Sequence, residues 1–410
     1  MERDMRADLL QIYRHAVAAV DGRARVREHL VATGLSARVR VVAVGKAAGA
    51  MALGACDALG DAVEAVLIIT KHGHAVSGFP PGVSVRSIEA GHPVPDEQSL
   101  VAGRSLLGFI AGTPRTTALL LLLSGGASAL VEVPAEGIAL ADLQRAHRWL
   151  TGCGRDIAAI NRVRMQLSGI KGGRLAQRLD GRRSLQLLIS NVPGDDPAII
   201  GSGPLTPAPG GAPAWTGAPV WLTEMAARAA PPPLPDDPAF HTIETRLIAT
   251  AGDARRAAAE HAHRLGYPVH LHEVLVTGEA EAAGRRLVAR LLEDPAGVHV
   301  WSGETVVTLP AMPGRGGRCQ QLALAAAQVL DGCAAHYLLA AGTDGGDGPG
   351  AAAGALVDGA TLARGQAQGR EAARCLREAD AGSFLAASGD LLPATVTGTN
   401  VMDLMLAGKG

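Results

Sequence analysis

Aromatic residues are scarce: Phe, Trp and Tyr make up 3% of the chain, against 48% for hydrophobic residues as a whole. The core must therefore be packed with Ala, Val, Leu and Ile, which suits alternating β and α layers and disfavours an aromatic-rich β-sandwich. Cysteine pairs are lacking as well. The five cysteines, Cys56, Cys153, Cys319, Cys333 and Cys375, are odd in number and scattered, with no CxxC pair. They carry no zinc signature and fit reduced thiols in a cytoplasm. Charge bias is absent too: a net charge of −1 offers nothing to a nucleic acid or an anionic membrane surface. No window is long and uncharged enough to span a bilayer. The opening segment, MERDMRADLLQIYRHAVAAVD, is charged and amphipathic and lacks the apolar core of a signal peptide. The expectation is a cytoplasmic monomer or homodimer of two or three domains, with no membrane or nucleic-acid partner.

What the chain does contain is a series of buried-strand patterns, each ending in a glycine-rich or polar turn. Residues 1–34 read as helix, and 39–55 as strand, turn and small-residue helix. Further strands follow at 63–70 and 83–91. At 119–130, LLLLLSGGASAL runs five leucines into Ser124-Gly125-Gly126, the pattern of a strand buried on both faces of a parallel sheet. Residues 141–180 look mostly helical, and SLQLLISNV is another strand. Nine prolines between residues 207 and 238 make that stretch the linker candidate, with a helix possible at VWLTEMAARAA. The second half repeats the β/α pattern through TRLIATAG, YPVHLHEVL, GVHVWSGETVVTLP and HYLLAAGTDGGDGPG, and NVMDLM reads as a terminal apolar helix.

Ligands of open α/β sheets bind beyond the carboxyl ends of the strands, and the unusual residues of this chain lie there. Gly125 and Gly126 leave backbone N–H groups uncovered and Ser128 adds a hydroxyl, an arrangement suited to a phosphate. Lys46 directly follows VVAVG and can bring a point charge to a phosphate oxygen. Its loop is not a Walker A motif, because position 40 is no glycine and Ala47 replaces the Ser/Thr, nor a GxGxxG fingerprint, because the second glycine is missing. His72, His74 and His92 read as lining a polar cleft or capping loops rather than as zinc ligands. Arg164 and Lys171 fall seven apart, on one face if the segment is helical, as a solvated surface or an anion site. Asp195 and Asp196, between Gly and Pro after a strand, and Asp344 and Asp347, in a second glycine turn beside Thr343 and Gly345, are candidates for Mg²⁺ with substrate phosphates. Arg315 and Arg318 stand among glycines before a helix, where guanidinium and N–H donors can share an anion. Asp390, Thr397, Thr399 and Asn400 precede the last apolar segment. Cations, phosphate donors and aspartates without an evident covalent nucleophile suit phosphoryl transfer, which rests on positioning and electrostatics.

The motifs VGKAAGAM, EAGHPVPDE, LLSGGASAL, NRVRMQLSGIKGGRLA, GDDPAIIGSGP, SGETVVTL, GRGGRCQQLALAAA, AAGTDGGDGP and TGTNVMDL resemble, in this order and almost end to end, those of the class II glycerate 2-kinases. The resemblance implies an α/β chain of two domains. Residues 1–235 would form a Rossmann-like, three-layer αβα kinase domain with a largely parallel sheet. Residues 240–410 would form an α/β MOFRL-like domain, with the active site in a cleft between the two. It further implies ATP-dependent phosphorylation of D-glycerate at the 2-hydroxyl, giving 2-phosphoglycerate and ADP, with a divalent cation. Lys46 and one arginine of the GRGGR loop, Arg315 or Arg318, would be central. Ser124, Gly125, Gly126, Ser128, Thr343, Asp344, Gly345 and Asn400 would hold nucleotide or substrate, and Asp195 or Asp344 would serve the metal or deprotonate the hydroxyl. The chain departs from the pattern at Cys319 and Gln321, where relatives usually carry Asn and Glu, and at residues 395–398 and TGCGRDI. Two competing readings are a hydroxypyruvate reductase, disfavoured by the missing GxGxxG turn, and a non-catalytic nucleotide-binding sensor, which would not need the aspartate turns and arginine loop.

Overall fold

The computed structural model describes residues 4–35, 37–152, 157–209, 217–228 and 230–410, excepting the side chains of residues 151, 152, 157 and 158. Cys153, in the TGCGRDI departure, lies outside them. The described chain forms two compact units. One comprises Gly22–Ala249 with Gly398–Asn400, the other Met1–Asp21, Thr250–Thr397 and Val401–Gly410.

The first unit is built on β1 (Val39–Val44), β2 (Val63–Lys71), β3 (Ser84–Ala90), β4 (Ala118–Leu123), β5 (Ser184–Ile189) and β6 (Ile243–Ala249). These pair in the order β3-β2-β1-β4-β5-β6, and every pairing is parallel. The continuous apolar runs predict this, since a strand covered on both faces needs no polar alternation. Val42 and Val44 of β1 and Leu121 and Leu123 of β4 share a core cluster with Ala102, Leu106 and Ile110. The last three recur four apart along the helix Glu97–Ala111 and so form one stripe. A capping box of Asp96 and Ser99 starts that helix. The small-residue helix Ala48–Leu59 covers the other face, completing three layers.

The second unit holds β7 (Val269–Leu271), β8 (Gly297–Gly303), β9 (His336–Gly342), β10 (Ala352–Asp358), β11 (Leu391–Pro393) and β12 (Asp403–Lys409). Their order is β11-β10-β9-β12-β8-β7. Only β7 and β8 are parallel; β12 runs antiparallel to both of its neighbours. Met405 and Ala407 of β12 join Trp301, Leu338 and Ala340 in the core beneath the helices Ala280–Glu293 and Arg318–Leu330.

Four expectations change. Residues 403–409 form a strand rather than a terminal helix; a short apolar run buried on both faces has no periodicity to separate the two. Residues 1–34 form two helices, Met5–Ala19 and Gly22–Thr33, and the break between them is a unit boundary. The first packs within the second unit: Tyr13 donates to the Gly342 carbonyl at 2.6 Å, and Arg6 pairs with Asp358 and Asp390. The division therefore falls at 21/22 and 249/250 rather than between 235 and 240, because β6, beyond the proline-rich stretch, completes the first sheet. Finally, the helix Ile157–Gln166 ends before Lys171, so Arg164 and Lys171 do not share a helical face. Gly172 and Gly173 both have positive φ and turn the chain there.

Candidate active site

In a parallel sheet every strand ends at the same edge, and the order of the first sheet reverses between β1 and β4. In open α/β sheets such a switch point, at the carboxyl ends of the strands, is where ligands bind. Lys46 follows β1, Ser124-Gly125-Gly126 follows β4, His92 follows β3 and Asn191 follows β5. The turns interlock. Lys46 N donates to the Gly125 carbonyl at 2.9 Å, and Ala47 N to Ser124 Oγ at 3.1 Å. Ser124 is thus a buried brace between the two turns rather than a hydroxyl facing a ligand.

The glycines are needed where other groups come close. A Cβ on Gly125 would lie 2.2 Å from Asn400 Nδ2 and 2.6 Å from Asn191 Nδ2. Gly126 has φ 95°, and a Cβ there would meet His92 at 3.2 Å and Lys46 Cγ at 3.4 Å. Lys46, His92, Asn191 and Asn400 therefore surround one backbone turn. Among the described residues, the N–H groups of Gly125 and Gly126 find no acceptor. Bare amides, a lysine and two carboxamides are groups whose chemistry suits an anion. Ser128 instead pairs its hydroxyl with Ser202 Oγ at 2.9 Å, and Ser202 in turn meets Asn161.

The first unit also holds a buried ionic group that spacing alone does not reveal. Lys171 and Glu132 form an ion pair with side chains 2% and 1% exposed. Glu132 also accepts from Ser168 Oγ at 2.5 Å and Val133 N at 3.0 Å. Burial and the charges of Arg164 and Lys171 push the imidazole of His147 down to about 2, so it is neutral. Arg164 is itself lowered, to about 10, by burial. Lys171 is thus neutralised internally and is no surface charge.

The second unit gathers a different set. Glu304 follows β8, Asp344 follows β9, and Asp403 opens the antiparallel β12 between them, opposite Gly303 and Gly342. Arg318 faces this acidic edge from the first turn of its helix. Its Nε and Nη2 reach the two oxygens of Asp403 at 3.1 and 2.9 Å, and Nη1 lies 3.1 Å from Glu304. The buried Asp403 carboxylate beside it raises Arg318 further above its ordinary value. Arg315 is exposed, and its guanidinium makes no bond among the described residues.

Asp347 and Thr343 turn out to be braces. Asp347 accepts from Cys319 N at 3.1 Å and Gln320 N at 2.8 Å, capping the helix that carries Arg318. Its burial and the Asp403 charge lift its carboxyl to about 6. Thr343 Oγ1 donates to the Met402 carbonyl at 2.6 Å and accepts from Val401 N at 2.8 Å. Gly345 packs so tightly that a Cβ would lie 1.7 Å from the Thr395 carbonyl. Asp344 is half-buried and accepts from Gly346 N at 3.1 Å. Asp195, at φ 53°, makes no side-chain hydrogen bond among the described residues. Neither of these two belongs to a close group of three potential ligands. Both remain hard oxygen donors of the kind Mg²⁺ takes alongside phosphate oxygens.

Sequence reasoning missed Asn191, Glu132, Glu304 and Asp403. The strand-end rule that marks Lys46 also covers Asn191 and Glu304. Asp403 was hidden by the helical reading of its segment, and nothing in the sequence pairs Glu132 with Lys171.

Comparison with known proteins completes the picture. Residues 8–215 match a family described as a domain of unknown function (DUF4147), and residues 297–403 match the MOFRL family. The chain is 35% identical to the D-glycerate 2-kinase of Thermotoga maritima, covering 97% of this chain and 96% of that protein. It is 36% identical to an Agrobacterium vitis protein that carries a provisional hydroxypyruvate reductase name, over 90% and 98% of the two chains. A crystal structure of the Thermotoga maritima glycerate kinase superposes with a TM-score of 0.83 at 33% identity, covering 99% of both chains.

Proposed function

The chain belongs to the glycerate 2-kinase family, and on that premise we propose that it transfers the γ-phosphoryl group of ATP to the 2-hydroxyl of D-glycerate. The observation that carries this reading is the turn at Gly125-Gly126, with unengaged amides, Lys46 against it, and Asn191 and Asn400 closing in. These groups suit the oxygens of a phosphate. Ala47 stands where a dinucleotide-binding turn would need glycine for the pyrophosphate to approach, which counts against a reductase.

In this reading Lys46 neutralises charge on the phosphates. Arg318 stabilises charge developing on the transferring group, its guanidinium already fixed by Asp403 and Glu304 so that little reorganisation is needed. Arg315 lacks such support, so the proposal places the essential arginine at 318. The hydroxyl proton passes to a carboxylate, Asp195 or Asp344, as the 2-oxygen bonds to phosphorus and ADP leaves. Asp195 or Asp344 would also hold Mg²⁺, which when bound screens the phosphate charges. Ser128, Thr343 and Gly345 support the turns around the nucleotide. The decisive experiment incubates the purified chain with ATP, Mg²⁺ and D-glycerate and resolves 2- from 3-phosphoglycerate. Formation of 2-phosphoglycerate is expected. NADH oxidation with hydroxypyruvate, and no phosphorylated product from glycerate, overturns the reading in favour of the reductase name borne by the Agrobacterium relative.

A further inference from the structure

The edge of the second sheet carries a histidine array unconnected to phosphoryl transfer. In the parallel pair β7–β8, His270 lies opposite His299. His272 lies two residues after His270, and Trp301 two after His299. Side chains two apart along a strand share a face, so these four rings stack in a row. Ring centroids are 4.3 Å apart for His270–His299 and for His272–Trp301, with interplanar angles of 22° and 4°. Asp294 ends the helix that leads into β8, and its carboxylate Oδ2 lies 3.7 Å from His299 Nδ1. His272 Nε2 lies 3.2 Å from the same His299 Nδ1. Among the described residues this is the one group of three His, Cys, Asp or Glu whose ligand atoms all fall within 4.8 Å of one another.

The geometry points to a transition-metal site formed by His272 Nε2, His299 Nδ1 and an Asp294 carboxylate oxygen, with zinc(II) as the fitting ion. A tetrahedral centre with bonds of about 2.0–2.1 Å spaces its ligand atoms about 3.3–3.4 Å apart, close to the observed nitrogen separation. Outer contacts orient the ligands as metal sites require. His299 Nε2 lies 3.0 Å from the Pro295 carbonyl, which can only accept, so the ring proton is on Nε2 and the Nδ1 lone pair faces the group. Without metal, His272 Nε2–H donates to that lone pair. With metal, His272 carries its proton on Nδ1 instead, exchanged through solvent, and no net proton is released. Arg290 holds the Asp294 carboxylate at 3.1 Å. Three protein ligands leave a fourth position for water. Two imidazoles and one carboxylate select zinc(II), cobalt(II) or nickel(II) over the hard Mg²⁺ of the kinase reaction. The bound ion would tie the edge strand β7 and the end of a helix to β8.

The test uses the tag-free full-length chain, stripped with chelator and titrated calorimetrically with Zn²⁺ in the presence of millimolar Mg²⁺. One equivalent should bind per chain, and Co²⁺ should give the visible absorption of a four-coordinate site. His272→Gln should weaken Zn²⁺ binding by about 10–100-fold or more, since even outer-shell losses cost that much, with an unchanged circular dichroism spectrum. Asp294→Asn, at a half-buried position, should weaken it as well and decides the matter if His272→Gln does not fold. Absence of saturable Zn²⁺ binding, or one-equivalent binding unchanged in either folded variant, overturns the proposal.

Discussion

Removing one member of the Glu132–Lys171 pair should destabilise the first unit severely. Both side chains are almost completely buried, so neither partner can recover hydration if the other is lost. Glu132→Gln keeps an acceptor oxygen for Ser168 Oγ and Val133 N but leaves the Lys171 ammonium without its anion. Breaking a buried pair in this way costs about 3–5 kcal/mol. For a unit of this size each kcal/mol shifts Tm by roughly 2–4 °C, so the expected drop is about 6–20 °C. Burial already lowers Lys171 below the ordinary lysine value, while Glu132 opposes that shift. Without Glu132 the lysine falls further, and the folded state binds fewer protons than the unfolded chain over a wider range below the ordinary lysine pKa. Stability of the variant must then rise with pH across that range. Lys171→Met leaves a buried carboxylate and should cost a similar amount. The double variant, which removes both charges and keeps an acceptor oxygen at position 132 for Ser168 and Val133, should recover much of the loss, because no uncompensated buried charge remains. Thermal unfolding followed by circular dichroism at several pH values measures all of this. Losses under about 1 kcal/mol in both single variants would mean that the pair is effectively solvated, and the reasoning fails.

Turnover should fall by about 10²–10³ in Lys46→Ala and Arg318→Ala, with Arg318→Lys rescuing poorly because an ammonium cannot span both Asp403 oxygens. Arg315→Ala should be mild, and steady-state kinetics that found Arg315 rather than Arg318 indispensable would reverse the assignment. EDTA should abolish activity and Mg²⁺ restore it, while Asp344→Asn and Asp195→Asn, compared in turnover and Tm, identify which carboxylate is functional; neither is if both variants turn over normally. Gly125→Ala should raise KM sharply by pushing Asn191 and Asn400 aside, and unchanged kinetics would deny the turn a binding role. Asp347 titrates near 6 in the fold against 3.8 in the unfolded chain, so the folded state binds more protons between those values. Stability should therefore decline as pH rises through that window, and the slope should flatten in Asp347→Asn, as pH-resolved unfolding would reveal.

The first sheet was legible because its signal is redundant. LLLLLSGG and VRVVAVGK each combine a doubly buried strand with a glycine turn, and helical segments intervene between most successive strands, though β2 and β3 are parallel with no helix between them. The second sheet was less legible because its central strand, Asp403–Lys409, is short and buried from Asp403 to Gly408. Only pairing with β8 and β9 on both sides selects strand over helix there. The unit boundaries were illegible for a related reason. Nothing local tells that Met5–Ala19 belongs with residues 250 onward, since Tyr13 and Arg6 find their partners more than 300 residues away.

The same distinction governs the site. Local chemistry marks the edge of a sheet where ligands go, and it correctly places Lys46, Gly125 and Gly126 together. It cannot say whether a polar side chain at that edge faces a ligand or braces its neighbours, because both roles favour the same residue types. Ser124, Thr343 and Asp347 are as conspicuous in sequence as Lys46, yet each is buried and bonded to backbone. A fixed partner is not proof of a passive role either: Arg318 is held by two carboxylates, and that restraint is what would let it meet developing charge without reorganising. What separates the two cases is exposure. Arg318 keeps 39% of its side-chain surface accessible while its anchor Asp403 keeps 2%, so in the proposed reaction the arginine would reach a ligand and the aspartate would aim it.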